Sequence, residues 1–89
     1  MRIIICNLQM FSNNQTIQII DTEAGLMHSQ TVDVNELPKM VCYLATKYGI
    51  NDVKLFGAKN EYGEAFAEAI REAHELNFGK IEEFNVEVN

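Results

Sequence analysis

Eighty-nine residues, 47% of them apolar, carry thirteen acidic and seven basic side chains for a formal charge of −6. That length supports one domain, 1–89, and a single Pro with five Gly excludes a disordered or collagen-like chain. Seven scattered bases exclude a grip on duplex nucleic acid, and no apolar run reaches membrane-spanning length.

The first element is the run Ile3, Ile4, Ile5, Cys6, which relaxes to alternation at Leu8 and Met10. A strand apolar on both faces at its start belongs in the middle of a sheet, and residues 2–10 are expected to form it. Turn-forming residues occupy 12–15. Residues 16–20 then alternate, with Ile17 and Ile19 on one face, as the second arm of an antiparallel hairpin. Residues 21–25 form a second turn closed by Gly25. Mixed polarity over 26–32 marks a third strand at a sheet edge.

Asn35 reads as the N-cap of a first helix, with Glu36 in its first turn and Pro38 at its third position. Leu37, Met40, Val41, Leu44, Ala45 and Tyr48 follow as one apolar stripe, ended by Gly49. Residues 53–56 form a short apolar strand. A second helix opens at Asn60 and runs to Leu76, with Tyr62, Ala65, Phe66, Ala69, Ile70, Ala73 and Leu76 as its stripe. Asn77, Phe78 and Gly79 terminate it. Phe84, Val86 and Val88 alternate with polar neighbours as a last strand.

The order βββαβαβ defines an α/β fold with a five-stranded mixed sheet. Short turns make the first three strands a meander, and right-handed crossovers give the strand order 3-2-1-4-5. Both crossovers step in the same direction, so both helices fall on one face of the sheet. Ile4, Cys6, Leu8, Ile17, Ile19, Val53 and Leu55 are then expected beneath the helices. Ile3, Ile5, Ile20 and Phe56 are left on the other side, beside Asn7, Gln9, Gln18 and Lys54. An apolar patch with a polar rim has the composition of a protein interface, so these four residues are the expected contact surface. The expected partner is a second copy or another protein, reached through this face or an edge strand beside it.

This order of elements resembles the core of the ribonuclease H-like fold, a superfamily of nucleases, junction resolvases and actin-like ATPases. The resemblance implies two divalent metals held by carboxylates, one on the first strand and one near the end of the fourth. Here the first strand offers Asn7, the fourth ends in Phe56 and Gly57, and Glu61 already lies on the helix. Asp21 and Glu23 sit at the far end of the hairpin. The metal set is not assembled, and metal-dependent phosphodiester hydrolysis ranks third among the expected activities.

The strand-to-helix turn at Gly57, Ala58, Lys59 and Asn60 is the candidate anion site, through backbone N–H groups and the charge of Lys59. It underlies the alternative reading of a small-molecule or nucleotide binder. His28 and His74 lack ligands at metal spacing, and Cys6 and Cys42 lie in apolar patterns without a nucleophile context. No catalytic residue, metal or cofactor is expected. The start MRIIIC lacks the apolar core of a signal peptide, and the cysteines form neither a CxxC pair nor a disulfide framework, so the expected compartment is the cytoplasm. The expected function is a small non-enzymatic protein-binding or assembly module acting through the uncovered sheet face or the acidic helix surface, of the kind a phage or mobile element encodes as a modulator.

Overall fold

A strand of four consecutive apolar residues needs cover on both edges and faces, and the fold supplies the edges. In a computed structural model, which describes residues 1–89, the elements are β1 (Arg2–Asn7), β2 (Asn14–Asp21), β3 (Gly25–Asp33), α1 (Leu37–Tyr48), β4 (Asp52–Phe56), α2 (Glu61–Phe78) and β5 (Asn85–Val88). They form one sheet in the order β3-β2-β1-β4-β5. β1 is central, antiparallel to β2 and parallel to β4, with Ile4 beside both Ile19 and Val53. β2 and β3 pair antiparallel, and β4 and β5 pair parallel.

The seven side chains expected under the helices are all buried, at 5% exposure or less. They share a single core with Leu37, Val41 and Leu44 of α1 and Ala67 and Ile70 of α2, so both helices cover the same face. The result is a two-layer body of 31 × 30 × 20 Å. Neither helix is long and apolar enough to cross a membrane.

Three local expectations are corrected. β1 stops at Asn7, because Asn7 is the last residue paired with β2, opposite Thr16. Residues 8–13 therefore form a loop that leaves Met10 and Phe11 in solvent, although Leu8 stays buried and its N–H donates to Phe56 O at 2.8 Å. Asn35 does not cap α1. The Asp33 carboxylate accepts the Asn35 N–H at 2.9 Å, and the Glu36 N–H donates to Asp33 O. The chain completes that turn first, so Glu36 becomes the N-cap, without a side-chain bond, and Pro38 falls at the second helical position.

α2 is rotated from its expected stripe. Gly63, Ala67, Ile70 and His74 are its buried residues, whereas Leu76 is 87% exposed and the helix runs on to Phe78. Small residues set this rotation: a Cβ on Gly63 would lie 1.8 Å from Ala58 O and 3.3 Å from Val88 Cγ1. Only glycine leaves room here for the Ala58 carbonyl of the β4–α2 turn beside Val88 of β5. Arg71 then reaches across to donate to Val86 O at 2.7 Å, tying α2 to β5. His74 stacks on Phe84 with ring centroids 3.7 Å apart and planes within 4°.

Candidate functional site

The side of the sheet away from the helices has no cover, and the strand register arranges its side chains in rows. Leu26, Ile20 and Ile3 are neighbours across β3, β2 and β1. The next row reads Ser29, Gln18, Ile5, Lys54 and Glu87 across all five strands. A third reads Thr31, Thr16, Asn7 and Phe56. Of the four residues singled out from the sequence, Ile3, Ile5 and Ile20 are thus contiguous and half-buried. Phe56 lies at the opposite end, beyond Asn7 and Lys54. The apolar corner instead gains Leu26, 61% exposed, which sequence reading missed because β3 alternates poorly.

That poor alternation has a local cause. The β2–β3 register slips between Ile19 and Ile20, so that Ile19 opposes His28 and Ile20 opposes Leu26. Met27 is the extra residue, and the bulge turns Leu26 onto the open face. The corner also lies in a neutral zone: no charged side chain occurs between Arg2 and Asp21, although 22% of the chain is charged. Arg2 and Asp21 pair at its rim, at 3.7 Å. Two backbone N–H groups, of Glu23 and Ala24, donate to the Asp21 carboxylate and hold its pKa below the usual range.

The candidate anion turn is built for packing. Gly57 has φ +94°, and a Cβ there would fall 2.3 Å from Leu8 O, so the residue seats β4 against the end of β1. Asn60 is the N-cap of α2, and its Oδ1 accepts the N–H groups of Tyr62 and Gly63 at 3.0 and 3.3 Å. Those are amides a bound anion would need. Lys59 is exposed, while Glu61 and Glu64 put two carboxylates in the first turn of the helix.

Burial sets the state of both cysteines and of His74. Burial pushes the Cys6 thiol up to about 12 and the Cys42 thiol up to about 11. Neither supplies a thiolate near neutral pH. Burial also lowers the pKa of His74. No three His, Cys, Asp or Glu side chains converge at metal-binding distance.

One residue that the sequence presents as a turn former does structural work in the core. Gln15 is 1% exposed, on the same face as Ile17 and Ile19. Its Oε1 accepts the Gln9 N–H at 2.6 Å, and its Nε2 donates to Gln9 O, Ser12 O and Tyr62 Oη at 2.8, 3.3 and 3.2 Å. The period of two in β2 is the signal that locates it, since Gln15, Ile17 and Ile19 share parity. No protein-family model, curated protein or solved structure matches this chain.

Proposed function

We propose that the protein is a non-enzymatic assembly module that pairs with a second copy of itself through the open sheet face. The observation that carries this reading is the uncovered row Leu26–Ile20–Ile3 with Ile5 behind it, an apolar corner that no element of the chain shields. A standard interface of roughly 800 Å² per partner would engage most of this broad face of a 31 × 30 × 20 Å body. Its charge fits as well, because a two-fold contact brings neutral hairpin against neutral hairpin in a chain of net −6.

Several features support binding over catalysis. The strand order that resembles the ribonuclease H-like fold sets Asn7 beside Phe56, where nucleases of that superfamily gather carboxylates. Both thiols are buried and protonated, and the strand-to-helix turn spends its amides on Asn60. Two free thiols also suit a reducing, cytoplasmic setting.

Sedimentation velocity from micromolar to submillimolar protein tests the reading. The wild-type chain is expected to shift reversibly toward a dimer. Leu26→Lys, at an exposed position, and Ile20→Thr, which keeps a β-branched residue, are each expected to weaken that association about tenfold or more. A wild-type chain that stays monomeric throughout, or variants that associate equally well, would refute it.

A further inference from the structure

The two helices divide the charge of their layer between them. α1 carries Lys39 and Lys47 and no carboxylate, whereas α2 carries Glu61, Glu64, Glu68, Glu72 and Glu75 against the single base Arg71. Both lysines and all five glutamates are exposed, because each helix buries its opposite side against the sheet. An acidic chain thus presents a cationic helix beside an anionic one on the same face.

Little within the molecule neutralises either half. The three ion pairs of the chain are Arg2–Asp21, Lys54–Glu87 and Arg71–Glu68. Lys39 and Lys47 have no carboxylate partner, not even Glu36 one turn before Lys39, and Glu72 and Glu75 have no base. Lys47 lies instead over the rings of Tyr43 and Tyr48, at 5.9 and 5.5 Å.

Each half also bears an apolar feature that suits the other. Leu76 is 87% exposed on the acidic helix, where it shares a shallow groove with Glu72 and Glu75. On the cationic side a recess of about 380 Å³ opens between the helices, walled by Tyr43, Ala73 and Phe78, with Lys39 and Lys47 along its α1 edge. Its lining has two cations and no carboxylate, unlike the grooves that hold Glu36, Glu72 or Glu75 and the uncharged one at the start of α1. Such a recess suits an apolar side chain flanked by carboxylates. An acidic peptide would satisfy the recess alone, but a partner that also answers the glutamate ridge must bring cations. This chain presents both on one face.

We propose that the helix layers of two copies pair face to face, with Leu76 of each, flanked by Glu72 and Glu75, seated in the Lys39–Tyr43–Lys47 recess of the other. Both helices connect parallel strands and so run in the same direction. A two-fold axis along the seam between them lays each α1 over the other copy's α2 and keeps the two acidic helices apart. This contact lies on the opposite side of the molecule from the open sheet face and does not rest on it.

Charge reversal tests it, with the Leu26→Lys chain as parent so that the sheet-face contact is weakened throughout. In sedimentation velocity the parent is expected to associate reversibly up to submillimolar protein, and less at about 0.5 M salt than at about 0.05 M. Lys39→Glu with Lys47→Glu sets acid against acid, and Glu72→Lys with Glu75→Lys sets base against base. Each pair should weaken association about tenfold or more. An equimolar mixture of the two reversed chains restores opposite charges at both contacts, so it should recover a one-to-one complex. Leu76→Ser, at an exposed position, should weaken association of the parent without lowering Tm. A parent that stays monomeric, reversed chains that associate as well as the parent, or a mixture that fails to recover would overturn the proposal. None of these substitutions after the parent touches the open sheet face, so failure here leaves that reading intact.

Discussion

Replacing Gln15 with leucine tests whether one buried amide organises the end of the molecule where β1, β2 and α2 meet. The substitution keeps the volume and deletes four hydrogen bonds, two of them short: 2.6 Å from the Gln9 N–H and 2.8 Å to Gln9 O. The contacts at 3.2 and 3.3 Å to Tyr62 Oη and Ser12 O are weaker. A net bond is worth about 1 kcal/mol, and a buried partner left unpaired costs about 1–3 kcal/mol. Gln9 is exposed, so its peptide groups regain water once the loop loosens, and leucine adds some apolar burial. The expected loss is therefore about 2–3 kcal/mol, or roughly 10–20 °C in Tm for a domain of this size. Urea denaturation followed by far-UV circular dichroism gives the first number. Amide exchange supplies the second readout: protection of the Gln9 N–H should vanish while the Ile4 and Ile19 amides stay protected. Gln15→Glu sharpens the test. It keeps the acceptor for Gln9 N but sets a carboxylate against two carbonyls, so the folded state favours the protonated acid. The folded pKa is thus raised above the unfolded value near 4.3, and this variant should lose stability as pH rises through and above it. A cost below about 0.5 kcal/mol for Gln15→Leu, with Gln9 protection intact, would refute the reasoning.

Two further outcomes follow from the packing of α2 and the burial of β1. Gly63→Ala gains about 1 kcal/mol of helix propensity, yet its Cβ would meet Ala58 O at 1.8 Å. The turn that carries Ala58 must move away from the first turn of α2, and the net loss should be about 2 kcal/mol or more; an unchanged or higher Tm on thermal unfolding would contradict the close approach. Cys6 sets an alkaline limit on stability. Its folded pKa is about 12 against 9.0 for a free thiol, so below pH 9 both states keep the proton and stability is flat. As pH rises from 9 toward 12 the unfolded chain ionises first, and stability falls by about 1.4 kcal/mol per pH unit for this thiol. Chemical denaturation across that window should show a shallower decline for Cys6→Ala than for wild type, and equal slopes would count against a protonated, buried Cys6.

Much of this fold was legible in the chain. The run at Ile3 to Cys6 located the central strand, the alternation at Ile17 and Ile19 fixed which side faces the core, and crossover handedness put both helices there. What stayed hidden depended on local competition between neighbours. Asp33 captured the Asn35 amide and moved the start of α1, which residue preference alone does not reveal. Helical periodicity marked a broad apolar arc on α2, but the choice of Gly63 and Ala67 over Leu76 as the buried line depends on how closely the helix packs on the Ala58 turn and β5. Of the contact surface, the three isoleucines could be read from parity. Leu26 could not, because a bulge at Met27 decides its side. The conformation of Phe11 has no sequence signal, since aromatic residues rarely adopt positive φ.

Isoleucine methyl NMR on a dilution series addresses the central claim most directly, because the same strands carry both the test and its control. Ile3, Ile5 and Ile20 point to the open face, while Ile4, Ile17 and Ile19 point into the core. On concentration from micromolar to submillimolar, the first three methyl signals should shift together and the second three should hold still. Signals from Ile3, Ile5 and Ile20 that never move would contradict an assembling sheet face.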